Sequence, residues 1–413
     1  MSLSESVRDL QVALNTIVKL EKELNDKKLI NDVKEAVKTA EKAISDATGG
    51  ALHRLNVSKP SIDAVKELVQ GIPDALSFKN KKGQLPIQSA VWYIDSTKYV
   101  PILAKVGIKH EIGGRGMRGG LLAVDPRDEY DYNTLQIIVN ICNVEDPIPH
   151  DTARLKVLKE LRKDNLLLQS DIKDHGLLYD SCHPTNTMRF EYLAEWDPDN
   201  LMNGTFNEMP ISHAIIKDHK DLDRFTIYFQ TALKYHPQHL GMLFQKDSSG
   251  KTAFDSAIEK HETEKTFNVI RQCIPTDTEL PILHHVVRDA PKYINDFTMR
   301  YISAAHLRNA DGRTLTQVEL ISGSKTFKND TMFYVKMTDD EIGELDPVTK
   351  QYPFLTCATG ETSDLSTIYV LLSRNPSLLE KYIEQTTDEF AEEARSRKRT
   401  RDSDNENDGD DEA

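Results

Sequence analysis

The chain has 413 residues, of which 38% are hydrophobic and 29% are charged, and it carries a formal net charge of −14 at pH 7. This negative balance argues against broad nucleic-acid binding, and the lack of an apolar run of about 18 residues argues against a membrane-spanning helix. The N-terminus lacks the order of a secretory signal, and the four cysteines show no CxxC spacing, so we expect an intracellular protein, cytoplasmic or nuclear, without disulfides or structural zinc.

The first 50 residues carry apolar side chains at steps of three and four, which predicts helices with one apolar stripe. Asn25 and Asp26 interrupt the stripe, and Gly49 and Gly50 end it. We expect residues 1–50 to form a helical hairpin that caps the following domain, in a monomer. The alternative is a dimer formed by a coiled coil through residues 4–46, although the heptad pattern is short for one.

A short pattern returns through residues 51–387: a polar turn, a glycine, a Thr or Pro that starts a helix, and an Ala about one turn later. The clearest copies run from Asp247 to Ala257, from Asn80 to Ala90 and from Asp346 to Ala358. Glycine allows the positive φ of the turn, and Pro is tolerated in the first helical turn. Counted at the Pro position, the predicted copies lie at Pro86, Leu122, Tyr179, Pro210, Ala253, Pro281, Leu315 and Pro353.

This pattern resembles the ankyrin repeat, whose consensus is Asp-x-x-Gly-x-Thr-Pro-Leu-His-x-Ala over about 33 residues. With its Tyr-Pro-Phe at Tyr352, the chain is similar to the diverged ankyrin-type proteins abundant in diatoms and related algae. The resemblance implies an all-α solenoid of helical hairpins over residues 51–387. It also implies that His213 and His284 hydrogen-bond to a neighbouring turn rather than bind metal.

The resemblance further implies a non-catalytic scaffold that binds an unidentified protein partner through its turns and concave face, with no cofactor. Contact residues would then come from the turns and the first helices. We chose candidates by their expected exposure: Lys81, Lys82, Gln84, Gln88, Lys246, Ser248 and Lys251.

Residues 113–120 are rich in glycine, and Gly114, Gly116 and Gly119 satisfy GxGxxG. A dinucleotide site needs a buried strand before this motif and a long helix after it, but the following apolar run stops at Asp125. We predict a loop between helices. Arg115 and Arg118 beside exposed backbone N–H groups remain candidates for an anion or partner contact.

The repeat signal fades between residues 111 and 196. Helices are predicted at Asn133–Asn143 and Ala153–Asn165. An enzyme whose site lies in this region is an alternative function, and it would require His175, His183 and Asp180 to converge in a pocket. The catalytic motifs that we searched for do not occur, so we expect no catalytic or metal-binding residue.

Residues 388–413 are polar and densely charged, and we predict a disordered acidic tail. Next to its acidic end lies a basic cluster with two interpretations, a nuclear-import signal or a solvated run of charge. A nuclear regulatory adaptor that uses this tail is a further alternative function. The import candidates are Arg397, Lys398, Arg399 and Arg401.

Overall fold

The computed structural model describes residues 27–141, 145–220, 222–322, 339–359 and 365–384, together with residues 12, 16, 19, 386, 387, 392 and 395. Helix accounts for 68% of the structure and strand for 2%, which agrees with the predicted all-α class. The basic cluster and the acidic end of the chain lie outside the described residues. No helix in the described ranges combines the length and apolar character needed to cross a bilayer.

The chain divides into two compact units. Unit 1 comprises residues 1–236 and 241–269, and unit 2 comprises residues 237–240 and 270–413, so the division runs through the range expected to hold the repeats. The described helices of unit 1 are α1 (Lys27–Leu52), α2 (Leu55–Ser58), α3 (Ile62–Gly71), α4 (Pro86–Val91), α5 (Ile94–Thr97), α6 (Val100–Lys109), α7 (Thr134–Asn140), α8 (Pro147–Lys163), α9 (Gln169–Asp174), α10 (Leu177–Ser181), α11 (Thr187–Trp196), α12 (Asp199–Asn203), α13 (Ile211–Asp218), α14 (Asp223–Tyr235) and α15 (Ala253–His261).

The helices of unit 1 pack in two rows. In the first row α4 contacts α7, α7 contacts α10, α10 contacts α13, and α13 contacts α15. In the second row α3 contacts α6, α6 contacts α8, α8 contacts α11, and α11 contacts α14. Four of the first-row helices also contact a second-row helix: α4 packs on α6, α7 on α8, α10 on α11, and α13 on α14. A short antiparallel pair of strands, β1 (Thr205–Phe206) and β2 (Met209–Pro210), precedes α13.

The core between the rows comes from apolar residues at helical spacing. On α14, Phe225, Tyr228, Phe229 and Ala232 recur at steps of three, one and three, and each is at most 1% exposed. These steps place the four side chains on one face of the helix. Full burial of such a side chain contributes about 1.5–3 kcal/mol, so this face contributes strongly to the stability of the row.

Unit 2 is built from helices of the same kind. Helix α17 (Ile282–Asp289) packs on α19 (Leu315–Ser322), and α19 packs on α21 (Pro353–Thr359). Helix α22 (Leu365–Arg374) also packs on α21. A buried cluster of Ile342, Tyr352, Phe354, Leu371 and Leu378 forms one part of its core. The helices are α17 (Ile282–Asp289), α18 (Ile294–Arg300), α19 (Leu315–Ser322), α20 (Asp339–Gly343), α21 (Pro353–Thr359) and α22 (Leu365–Arg374), and α16 (Thr263–Cys273) contains the division between the units.

The prediction that Gly49 and Gly50 end the N-terminal helical region was wrong, because α1 continues to Leu52. A Cβ atom on Gly49 would lie 2.3 Å from Cβ of Phe78, so the glycine lets the helix approach the short 3₁₀ turn Pro73–Ser77. That contact offsets the roughly 1 kcal/mol that glycine costs inside a helix. Most of residues 1–26 lies outside the description, so the hairpin cap stays a prediction.

The glycine-rich segment is a loop, as predicted. Its 3₁₀ turn, Arg118–Gly120, packs on α6, and Gly119 has a φ of 67°. A Cβ atom at Gly119 would lie 2.2 Å from the carbonyl oxygen of Ala104, too close for any other residue. The glycine therefore permits backbone packing between the loop and the helix.

The repeat copy predicted at Leu122 was wrong. Leu122 lies in a bend, and the next first-row helix begins at Thr134. Of the other predicted copies, Pro86, Ala253, Leu315 and Pro353 are each the first residue of a helix, and Tyr179, Pro210 and Pro281 lie within two residues of a helix start. Among the described helices of unit 1, α2, α5, α9, α11 and α12 were not predicted from the sequence.

Candidate partner-binding turns

Four turns, each followed by a helix, share one hydrogen-bonding scheme, and three of them lie in unit 1 and one in unit 2. The first residue of each turn accepts, at its side-chain Oδ1, the backbone N–H groups two and four residues later. For Asn80 the distances are 2.8 and 3.1 Å, for Asp128 2.9 and 3.2 Å, for Asp247 2.9 and 3.0 Å, and for Asn309 3.0 and 2.9 Å. A short side-chain acceptor at this position fixes the path of the turn.

The fourth residue of each turn adopts a left-handed conformation. It is Gly83, Gly250 or Gly312 in three copies, with φ between 78° and 81°, and Asp131 in the other, with φ of 57°. The last residue of the turn is followed by a helix N-cap. The four turns therefore have the same backbone despite their different sequences.

Each N-cap is joined to the third residue of its helix. The side chain of Gln88 accepts the N–H of Leu85 at 2.7 Å, and that of Asp255 accepts the N–H of Thr252 at 2.9 Å. The same bond joins Asn133 to Gln136 at 3.1 Å and Thr314 to Gln317 at 3.0 Å. Such bonds satisfy N–H groups that a helix start leaves unpaired, and they fix each turn to its helix.

The second and third residues of each turn are exposed, and no two turns carry the same pair. We call these pairs the turn tips: Lys81 and Lys82, Glu129 and Tyr130, Ser248 and Ser249, Ala310 and Asp311. Tyr130 is 74% exposed, an unusual position for a tyrosine. A fixed backbone thus presents different side chains at equivalent positions.

His213 in unit 1 and His284 in unit 2 each reach a later turn of the same unit, as the resemblance implied. The Nε2–H of His213 on α13 donates to the carbonyl of Lys251 at 3.0 Å, and that of His284 on α17 donates to the carbonyl of Arg313 at 3.2 Å. Both carbonyls also accept an N–H from the first residue of their own turn. Burial lowers the pKa of both histidines, and for His284 to about 4, so each is neutral at pH 7.

Two of the residues proposed for partner contact, Gln84 and Gln88, are buried, and their choice as exposed residues was wrong. The Nε2 group of Gln84 donates to both carboxylate oxygens of Asp125, at 3.0 and 2.9 Å. The Nε2 group of Gln88 donates to the carbonyl of Val124 at 2.7 Å. Both glutamines therefore connect one turn to the next segment of chain instead of facing solvent.

Arg118 is also occupied within the protein. Its guanidinium pairs with the buried carboxylate of Asp171 and donates to the carbonyl of Leu166 at 3.3 Å. Arg115 is exposed. The structure thus assigns Arg118 to holding the glycine-rich loop against the segment before α9, and leaves Arg115 as a surface residue.

The remaining candidates lie on two turns of unit 1. Lys81, Lys82 and Ser248 are turn tips, whereas Lys246 and Lys251 flank a tip. Lys251 forms an ion pair of 2.7 Å with Glu259. The turn tip formed by Glu129 and Tyr130 was not predicted, because Asp131 occupies the position that holds glycine in the other copies.

The region proposed for an enzyme site contains helices α7 to α11. Its three named residues bond to different partners: Nδ1 of His175 lies 3.4 Å from Asn133, Nδ1 of His183 lies 2.7 Å from Thr185, and Asp180 accepts from Tyr132 at 2.9 Å. Burial raises the pKa of Asp180 to about 7. The polar cluster around Asp180 joins α7 to α10, so it is part of the contact between first-row helices.

The described residues contain no group of three His, Cys, Asp or Glu side chains arranged to hold a metal ion. The nuclear-import candidates Arg397, Lys398, Arg399 and Arg401 lie outside the described residues.

Comparison of the chain with protein-family models, with curated proteins and with solved structures found no match in any of the three.

Proposed function

We propose that the chain is a non-catalytic binding protein built from diverged ankyrin-like repeats, and that it holds a protein partner through its turn tips. One observation carries this proposal: the four turns share the same hydrogen bonds, but each presents different exposed side chains. A site that must recognise an extended surface benefits from rigid, repeated positions with variable chemistry.

The two rows of helices in unit 1 support the repeat interpretation. In repeat proteins each unit covers the apolar face of its neighbour, so a stack requires contacts between successive first helices and between successive second helices. Contacts of both kinds run from α3 to α15. We extend the proposal to the first 50 residues as a helical cap and to residues 388–413 as a charged tail.

The tips also supply suitable contact chemistry. Lys81 and Lys82 provide two adjacent cations, Tyr130 provides a large aromatic ring, and Ser248 provides a small hydroxyl donor and acceptor. Aromatic and charged anchors dominate the binding energy of protein interfaces. Because the backbone of each turn is already fixed, little conformational entropy is lost there on binding.

Site-specific photo-crosslinking tests the proposal. A photoreactive amino acid replaces Lys82, Tyr130 or Ser248 in the full-length chain expressed in its native cell, and crosslinked proteins are identified by mass spectrometry. Matched control positions are Lys42 on α1 and Lys173 on α9, which are exposed and lie outside the turns. We expect one partner to be crosslinked from at least two tips and from neither control. Equal yields from the tips and the controls would refute a tip-based interface.

A further inference from the structure

The second-row helices of unit 1 form a groove of about 290 Å³ that the turn tips do not share. Its walls are formed by α3, by Lys98 and the helix α6 that follows it, and by the C-terminal end of α8. Its charged lining residues are Lys66, Lys98, Lys105, Lys109, Glu160 and Asp164.

The charges of this groove are opposite to those of the chain as a whole. Four lysines face two carboxylates in the groove, whereas the complete chain has a net charge of −14. One carboxylate, Asp164, is paired with Lys105 at 3.1 Å. Within the described part of the chain, Lys66 and Lys109 form no ion pair, so their ammonium groups are available to an anionic ligand.

Part of the lining is apolar. It includes Pro101 and Val106, which are buried on α6, and Ile62 on α3, which is 46% exposed despite its size. Covering the exposed Ile62 side chain lowers the free energy, so this position favours an apolar side chain of the ligand. The groove therefore combines an exposed apolar residue with positively charged residues.

We propose that this groove is a second binding site, which takes an acidic peptide segment that also carries apolar side chains. Carboxylates of the segment would pair with Lys66 and Lys109, and an apolar side chain would cover Ile62. The site lies on second-row helices and the turn tips precede first-row helices, so either proposal can fail without the other.

The chemistry of the groove favours a peptide over a nucleic acid. Glu160 and Asp164 line the same groove and would repel a phosphate backbone, which carries charge along its whole length. The apolar lining residues offer a phosphodiester chain little, whereas leucine or isoleucine in a peptide can contact them.

Fluorescence anisotropy with the full-length protein tests this proposal. The probe is a fluorescein-labelled peptide, Glu-Glu-Leu-Glu-Asp-Leu-Glu-Glu, compared with a peptide in which Gln and Asn replace the acids, with one in which Ser replaces Leu, and with a labelled thymidine oligonucleotide. The test variant combines Lys66→Glu with Lys109→Glu. Its control combines Lys42→Glu with Lys173→Glu, which changes the net charge equally on exposed helix positions.

We expect the acidic leucine peptide to bind the native chain, and the test variant to bind it at least tenfold more weakly, since two ion pairs are lost and the reversed charges repel the peptide. The control variant should retain binding, and both altered peptides should bind more weakly. Circular dichroism of the test variant verifies its helix content. Absence of peptide binding, an equal loss in the control variant, or tighter lysine-dependent binding of the oligonucleotide would overturn the proposal.

Discussion

The imidazole of His213 donates a hydrogen bond of 3.0 Å to the carbonyl of Lys251, a residue 38 positions later in the chain. His284 and Arg313 repeat the arrangement at a separation of 29 residues. In both cases the same carbonyl accepts a second N–H from its own turn, so the turn is held both from within and by a helix that precedes it in the chain. The exposed tips are therefore attached to the packed helices by a buried histidine.

Replacement of this histidine should weaken the protein. His213→Ala removes a buried hydrogen bond and leaves a cavity, so we expect the free energy of unfolding to fall by about 2–3 kcal/mol. Urea unfolding followed by circular dichroism measures the change. His110→Ala is the matched control, because His110 is exposed at the end of α6 and should cost under about 0.5 kcal/mol. Equal costs for the two variants would show that the bond to Lys251 does not hold the turn.

Acid should destabilise the protein through His284. Burial lowers its folded pKa from 6.5 to about 4, so the unfolded chain binds a proton more readily than the folded chain between these values. Its contribution to stability is complete above pH 6.5 and is lost as the pH falls towards 4. One pKa unit corresponds to about 1.4 kcal/mol, so the loss is on the order of 3 kcal/mol.

Urea unfolding of the native chain and of His284→Gln, at neutral pH and at about pH 5, isolates this effect, since glutamine does not titrate. The native chain should lose more stability on acidification than the variant. If the two lose the same amount, the titration of His284 does not limit stability in acid.

Substitution of the residue in the left-handed conformation should change stability in opposite directions in two of the turns. Asp131 holds a φ of 57°, which glycine adopts at lower cost, so Asp131→Gly should stabilise the chain by about 0.5–1 kcal/mol. The reverse change, Gly250→Asp, should destabilise it by a similar amount, because no other atom lies within 4 Å of the added Cβ. Thermal melting of both variants measures the shifts. Changes of the same sign would contradict the structural equivalence of the two turns.

Two buried arginines in unit 1 should respond differently to replacement by methionine. Arg189 donates to the carboxylate of Asp151 at 2.7 Å and to several backbone carbonyls. Arg154 donates to the carbonyl of Val91 at 2.9 Å, but its Nε and Nη2 atoms are buried without a hydrogen-bond partner in the described structure. Burial and the neighbouring Arg189 lower the pKa of Arg154 to about 9, a sign that its charge is poorly compensated.

We therefore expect Arg154→Met to be neutral or to stabilise the chain by about 1–2 kcal/mol, and Arg189→Met to destabilise it by about 3–5 kcal/mol, because the latter leaves the Asp151 carboxylate buried without its cation. Urea midpoints at neutral pH provide the comparison. The opposite order would mean that Arg154, not Arg189, is the compensated charge.

The turns with glycine at the left-handed position could be predicted from the sequence. Gly83 and Gly250 stand at left-handed positions between a polar residue and a helix start, and each predicted its helix correctly. The turn at Asp128 was missed because Asp131 takes the left-handed position without glycine. A polar residue with an Asn N-cap five positions later, as in Asp128 and Asn133, is the signal that could have located it.

Burial of polar side chains was not predictable in the same way. Gln84 and Gln88 have the composition of surface residues, and their burial depends on acceptors 35 to 41 residues away, such as Asp125 and the carbonyl of Ala123. Local sequence contains no information about those distant acceptors. The basic groove was missed for the same reason, since Lys66, Lys105 and Lys109 come together only when α3 packs on α6.

Hydrogen–deuterium exchange with and without the crosslinked partner tests the central claim most directly. If the turn tips of unit 1 hold the partner, exchange should slow at residues 80–84, 128–132 and 247–251 on binding, with little change in α3 and in the parts of α6 and α8 that line the groove. Protection confined to those groove helices, or to residues 388–413, with the turns unchanged, would contradict the account.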